Sequence, residues 1–225
     1  MIKAVIFDAD GPLYHRTAEV DEQKQLLLAK FGFSGALHRF AEAYEKEKFK
    51  GYTRDETVAE MFQQILGVLG VDIPLETAER FAKSFDAIQR QVTATPDAVP
   101  ALKELKSEGY KTCVLTDSFF SAKDKWPWFR QMGMDAYLDE VVSSYDIRNL
   151  KDTPEAYRAC LDCLNINSSE AIFVGHQEYE MTGARAAQVS SVAVMPIAPD
   201  DINADYKIDN LSELPKLLRQ INSHK

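Results

Sequence analysis

Apolar positions along the chain fall into two textures, and the change comes near Thr95. Across residues 17–92 they recur at the three- and four-residue spacing of a helix face. TAEVDEQKQLLLAKFG ends at Gly32 and HRFAEAYEKEKFKG at Gly51. A third run passes through Val58, Met61, Phe62, Ile65 and Leu69 to Gly70, with Thr53 or Asp55 as its expected cap. The fourth, PLETAERFAKSFDAIQRQV, has Pro74 near its start and acids in its first turn. Together they form a helical block of roughly 75 residues, the size of a small bundle.

Beyond Thr95, helical runs alternate with short β-rich ones. PDAVPALKELKSEGY reads as a helix and KTCVLTDS as a strand with a polar end. In FSAKDKWPWFRQMGM, Pro127 is expected at a helix start or a kink. Val141-Val142 marks a short strand, and TPEAYRACLDCLNI a helix with Pro154 near its first position. EAIFVGHQ is a strand, GARAAQVS a helical turn, SVAVMP a strand and LSELPKLLRQI the last helix. Ala4 to Phe7 form a continuous apolar run, the signature of a strand buried on both faces. Five strands alternating with helices predict a doubly wound parallel α/β sheet built from residues 1–15 and 94–225, with a helical domain inserted at 16–93.

Composition narrows the function classes. The chain has 225 residues, 45% hydrophobic and 27% charged, as expected of a globular protein. A net charge of −9 argues against nucleic acid or an anionic membrane as the main partner. It leaves small phosphorylated substrates open, because only the local field matters there. No basic start precedes an apolar stretch and no apolar run could span a membrane, so a cytoplasmic protein is expected. Cys160 and Cys163 share one helix face without a second pair to complete a zinc site. They are read as two small buried residues.

The first strand runs directly into Asp8-Ala9-Asp10-Gly11-Pro12. Ligands of open α/β sheets bind at the carboxyl ends of the strands, which puts both aspartates where chemistry is expected. On an extended chain they would point to opposite faces, so the backbone must turn at Ala9 or Asp10, and Gly11 permits it. Taken alone, the pair also reads as a turn rich in aspartate. The string from Val5 to Leu13 resembles the first motif of the haloacid dehalogenase-like (HAD) hydrolase superfamily, with Pro12 in place of the usual Thr or Val.

Three later segments extend the resemblance. Val114-Leu115-Thr116-Asp117-Ser118 resembles the second motif, a strand ending in a hydroxyl residue. NLKDTPEAY resembles the third, with Lys151, Pro154, Glu155 and Tyr157 retained and Asp152 where proline is usual; Arg148 is the substitute if Lys151 points away. AIFVG-His176-QEYE-MTGARAAQV aligns with the fourth, with His176 and Glu180 at the positions of its two aspartates. The resemblance covers Ile2 to about Leu218. It implies a Rossmann-like core with a helical cap over the strand ends, hinged near Tyr14–Thr17 and Thr93–Pro96, and a phosphoglycolate phosphatase-like activity on a small phosphorylated metabolite.

By the same resemblance Asp8 is the nucleophile and Asp10 the general acid and base, while Thr116 and Lys151 hold phosphoryl oxygens. Thr116, Asp117 and Lys151 form the implied substrate site. Asp8, Asp10, His176 and Glu180 form the implied metal site, for Mg²⁺ or for Mn²⁺ or another divalent transition metal. His176 removes an oxygen ligand and a charge, so weak Mg²⁺ binding is expected. The chain is expected to act as a monomer or homodimer. Alternatives are a catalytically impaired member that binds a phosphorylated ligand or a protein, and a phosphomutase of the same fold. Dehalogenation is disfavoured, because that branch lacks the second acid that Asp10 supplies.

Overall fold

The computed structural model describes residues 1–195 and 197–223. The chain divides into two compact units, residues 1–15 with 94–225, and residues 16–93. The first is built on a six-stranded sheet from β1 (Ala4–Asp8), β4 (Lys111–Thr116), β5 (Glu140–Ser143), β6 (Ala171–Gly175), β7 (Ser190–Val194) and β8 (Tyr206–Ile208). Their order is β5-β4-β1-β6-β7-β8 and every pairing is parallel. Two short strands, β2 (Tyr14–Arg16) and β3 (Val92–Ala94), pair as a separate ribbon at the two chain crossings between the units.

Burial follows the sequence pattern. All five residues of β1 and of β6 are buried, as expected for central strands covered on both faces. The sixth strand, β8, was not expected. It is three residues long at the sheet edge, and only Ile208 is buried, which is too little to signal a strand. One face of the sheet, through Ile6, Leu115 and Phe173, packs against α8 (Pro154–Leu164) and α9 (Glu178–Ala186). Tyr157 of α8 meets Phe173 edge-on at 5.2 Å between ring centres. Cys160 is buried in this layer but Cys163 is exposed, so only one of the pair is a core residue.

Pro127 lies at the sixth position of the helix Ala122–Gln131, neither at its start nor past its end. Neighbouring side chains anchor that helix. Lys125 is buried, donates to the Tyr14 hydroxyl at 3.0 Å, and sits 3.9 Å from the centre of the Trp128 ring.

The second unit holds the helices Val20–Lys30, Leu37–Tyr52, Val58–Val68 and Leu75–Gln89. Their apolar faces meet in an aromatic core of Phe40, Tyr44, Phe62, Phe81 and Phe85, with Phe62 and Phe85 at 4.8 Å. The third helix is capped by Thr57, not Thr53 or Asp55. Thr57 and Glu60 form a reciprocal capping box, in which each side chain takes the other's backbone N–H. Among the described residues no helix is long and apolar enough to cross a membrane.

Candidate active site

The carboxyl ends of β1, β4 and β6 lie side by side in the middle of the sheet, and each delivers polar residues there. Asp8 closes β1 opposite Leu115, which places Thr116 one residue further along the neighbouring strand. After Asp8 the backbone folds back on itself. The N–H groups of Leu13 and Tyr14 donate to the Ala9 carbonyl, and Gly11 takes φ of +100°. Asp8 stays buried while Asp10 is exposed. Gly11 is also confined by space, since a Cβ there would lie 3.1 Å from His176 Cε1.

Lys151 is the centre of the charge network. Its ammonium is buried, donates to Asp8 Oδ1 at 2.5 Å, and forms a second ion pair with Glu180 Oε1. The Asp117 carboxylate takes the Lys151 backbone N–H at 3.3 Å and the Tyr179 hydroxyl at 3.3 Å. Glu180 is fully buried as the third residue of α9. Its Oε2 accepts the N–H groups of His176 and Gln177, each at 3.0 Å, so the helix start and the lysine occupy both of its oxygens. The Tyr157 hydroxyl donates to the Glu180 carbonyl at 2.6 Å. Arg148 is exposed, and Lys151 itself points into the site.

These contacts set the charges. Burial works against the Asp8 carboxylate, but the Lys151 ammonium and then His176 overcome it and hold its pKa below the ordinary value. Burial raises the Glu180 pKa, and the Asp8 charge raises it further. Burial opposes the Lys151 charge too, yet Asp8 and Glu180 push its pKa well above the usual lysine range. Asp117 is pushed up to about 6, chiefly by burial, despite its proximity to Lys151.

His176 Nδ1 lies 3.2 Å from Asp8 Oδ2 and 3.9 Å from Glu180 Oε2. That is ion-pair distance, but the ring nitrogen is not aligned for a hydrogen bond and has no such partner. Among the described residues, Asp8, His176 and Glu180 bring ligand atoms within 4.8 Å of one another, and the side chain of Asp10 is not part of that cluster. With the ring neutral, the orphaned imidazole nitrogen facing an open carboxylate oxygen fits a divalent ion. Burial opposes a charge on the ring, but Asp8 and then Glu180 raise the His176 pKa, so an ion would compete with a proton for that nitrogen. The donor set is wrong for Mg²⁺, which wants oxygen ligands around it. One nitrogen and one or two carboxylates suit Mn²⁺, Co²⁺ or Zn²⁺ better.

Thr116 is buried, and its hydroxyl makes no side-chain hydrogen bond among the described residues. Tyr179 and Gly183 were missed in the sequence. A signal existed for Gly183, because a glycine inside a helix costs about 1 kcal/mol against alanine and flags a close approach.

A buried carboxylate and a buried lysine thus meet at the carboxyl ends of the central strands of a doubly wound α/β core. The model of the haloacid dehalogenase-like hydrolase family matches residues 2–188, and the chain belongs to that family. Among curated relatives it is 25% identical to the glyceraldehyde 3-phosphate phosphatase of Methanopyrus kandleri over 238 aligned positions, covering 98% of this chain and 99% of the relative. A solved structure described as a predicted phosphoglycolate phosphatase from Haemophilus somnus superposes with a TM-score of 0.76 at 16% identity, covering 96% of this chain and 98% of that one. The L-2-haloacid dehalogenase of Xanthobacter autotrophicus superposes with a TM-score of 0.73 at 20% identity, covering 98% and 99%. The two structures share the fold, and the family places the chain among hydrolases with phosphatase-type relatives.

Proposed function

We propose that this protein is a phosphomonoester hydrolase that works through an aspartyl phosphate on Asp8. The observation that carries this is the Asp8–Lys151 pair, a buried carboxylate held ionised at 2.5 Å from a buried ammonium beside the end of β4. Asp8 Oδ1 is taken by Lys151 and by the Ala9 N–H at 2.7 Å, while Oδ2 faces His176. One Asp8 carboxylate oxygen forms the new bond to phosphorus as the bond to the leaving oxygen breaks, and the other stays on its cation. Asp10 gives that oxygen its proton, then takes one from the water that hydrolyses the acyl phosphate. Thr116 donates its unpaired hydroxyl to a phosphoryl oxygen, and Lys151 neutralises the charge shared by nucleophile and substrate.

Asp8 and His176, with Glu180 behind them, would hold a divalent transition ion. Such an ion supplies further charge neutralisation at the phosphoryl group.

Turnover of p-nitrophenyl phosphate, phosphoglycolate, glyceraldehyde 3-phosphate and pyrophosphate tests the reading, with EDTA and with Mg²⁺, Mn²⁺, Co²⁺ and Zn²⁺ in turn. Asp8→Asn should lose at least about 10²-fold, the loss expected for a core catalytic group. Hydrolysis of 2-chloropropionate with no phosphatase activity would move the chemistry from phosphorus to carbon. No turnover on any substrate would favour a binding protein.

A further inference from the structure

The helical unit has a concave site that the chemistry above leaves unused. A cavity of about 680 Å³ lies between the end of the first helix, at Lys30 and Phe31, and one face of the fourth, at Thr77, Arg80, Lys83 and Ser84. Three cations line it and no acid does, in a chain whose net charge is −9. Exposed lysines and arginines on a helix usually serve only to solvate it, so the partners decide the matter. Elsewhere in this unit cations pair with acids one turn away, as in Lys24–Asp21, Lys48–Glu45 and Arg90–Asp86. Arg80 and Lys83 each have a glutamate four residues earlier, Glu76 and Glu79, which is the favourable order for a helical pair. Neither pair forms, and among the described residues Lys30, Arg80 and Lys83 make no ion pair.

Arg80 is held differently. Its Nη2 donates to Thr77 Oγ1 at 3.0 Å, and its carbonyl receives the Ser84 hydroxyl at 3.0 Å. The Thr77 contact engages one N–H of the guanidinium at the cavity wall and leaves further N–H groups for a ligand, while the Ser84 bond is to the backbone. The Thr77 hydroxyl proton is likewise available to an acceptor. Phe31 contributes a flat apolar wall, locked edge-on against Phe81 at 5.2 Å. Such a volume suits a small molecule, and a planar fork beside two ammonium groups suits phosphate oxygens.

We propose that this cavity is a second ligand site, distinct from the strand-end centre, that takes a nucleoside phosphate: phosphates on Arg80, Lys83 and Lys30, and the ring on Phe31. The test is titration of ¹⁵N-labelled protein with α,β-methylene-ADP, which lacks a cleavable bridge, and separately with inorganic phosphate. Amide shifts are expected at Phe31, Gly32, Thr77 and Ser84, with binding weakened by added salt. The double substitution Arg80→Ala, Lys83→Ala should weaken binding at least about tenfold, as expected when charge-assisted contacts to phosphate are removed. Arg80→Lys should lie between, since it keeps charge and loses the fork. Turnover at the strand-end centre should be the same in all three proteins. Absence of shifts, shifts confined to residues around Asp8, Thr116 and Lys151, or affinity unchanged in the double variant would overturn the site. Inorganic phosphate binding as tightly as the nucleotide analogue would overturn the assigned ligand class.

Discussion

A Cβ on Gly183 would stand 1.9 Å from the carbonyl oxygen of Lys151 and 2.8 Å from Tyr157 Cε2. The α9 helix therefore approaches the lysine loop as closely as backbone allows, and only glycine permits it. Gly183→Ala must push the loop or the helix aside. Overpacking of this kind costs about 1–3 kcal/mol, and a chain of this size loses roughly 2–4 °C of melting temperature per kcal/mol. Because the displaced element is the one that carries Lys151, turnover should fall by more than the stability loss explains at assay temperature. Gly67→Ala is the control. Gly67 is exposed on a helix with nothing within 4 Å of its Cβ position, so alanine there should be neutral or stabilise by up to about 1 kcal/mol. Thermal melts and steady-state rates on both variants decide the point.

Lys151 pairs with two buried carboxylates at once. Lys151→Met removes the shared cation and strands Asp8 and Glu180, and breaking a buried pair in this way costs about 3–5 kcal/mol. The sign with pH follows from the same contacts. In the native protein the Asp8 pKa is held below 3.8, so its stabilisation is present above 3.8 and is lost as pH falls through the folded value. Without Lys151 both carboxyls protonate more readily in the folded state. The stability gap between the two proteins should thus be widest near pH 7 and narrow toward pH 4. Urea denaturation at both pH values measures it, and a gap independent of pH would show that the carboxylates find other partners.

Asp117 behaves in the opposite sense. Its pKa rises from 3.8 to about 6, mainly through burial, so folding favours its neutral form. That contribution is fully present below 3.8 and disappears as pH rises through 6. At pH 8 the ionised carboxylate costs the fold up to about 3 kcal/mol. Asp117→Asn should therefore be more stabilising, or less harmful, at pH 8 than at pH 4. Equal effects at the two pH values would mean that Asp117 is not strained by ionisation.

How much of this was legible in the chain depends on which physical signal each residue carries. The central strands were readable because burial on both faces makes β1 and β6 continuous apolar runs. Asp8 was readable as a strand-end residue, whereas Thr116 and Lys151 were brought beside it only by the family resemblance, since a hydroxyl at a strand end and a lysine before a helix carry little signal alone. The edge strand β8 and the ribbon of β2 and β3 were not, since three-residue strands with one buried side carry almost no pattern. The Thr57 cap was missed although Thr57 and Glu60 spell a capping box, because Thr53 and Asp55 competed for the same role. Cys160 falls on the apolar stripe of Tyr157, Leu161 and Leu164 at helical spacing and Cys163 falls off it, so the helical pattern could have told the two apart. The double use of Glu180, at its own helix start and on Lys151, needs two segments distant in sequence to meet.

His176 gives the sharpest test of the centre. Its Nδ1 is orphaned 3.2 Å from Asp8 Oδ2, and Glu180, the nearest other acid, already has both oxygens engaged. A Mg²⁺ ion would meet one open carboxylate oxygen, on Asp8, and one poorly suited nitrogen, so the wild-type protein should bind it weakly. His176→Asp replaces that nitrogen with charged oxygen. The substitution shortens the side chain, and it also opens space beside Gly11, where the ring now lies 3.1 Å from a Cβ position. Mg²⁺ affinity should rise at least about tenfold, equivalent to 1.4 kcal/mol. Co²⁺ should bind the wild type with the absorption spectrum of a nitrogen-ligated ion, and the variant with that of an oxygen-ligated one. Isothermal titration with Mg²⁺, absorption spectra with Co²⁺ and turnover in each metal, all on both proteins, make the comparison. If the wild type binds Mg²⁺ tightly and His176→Asp weakens it, the imidazole is itself a working part of the centre and not a ligand exchanged for a poorer one.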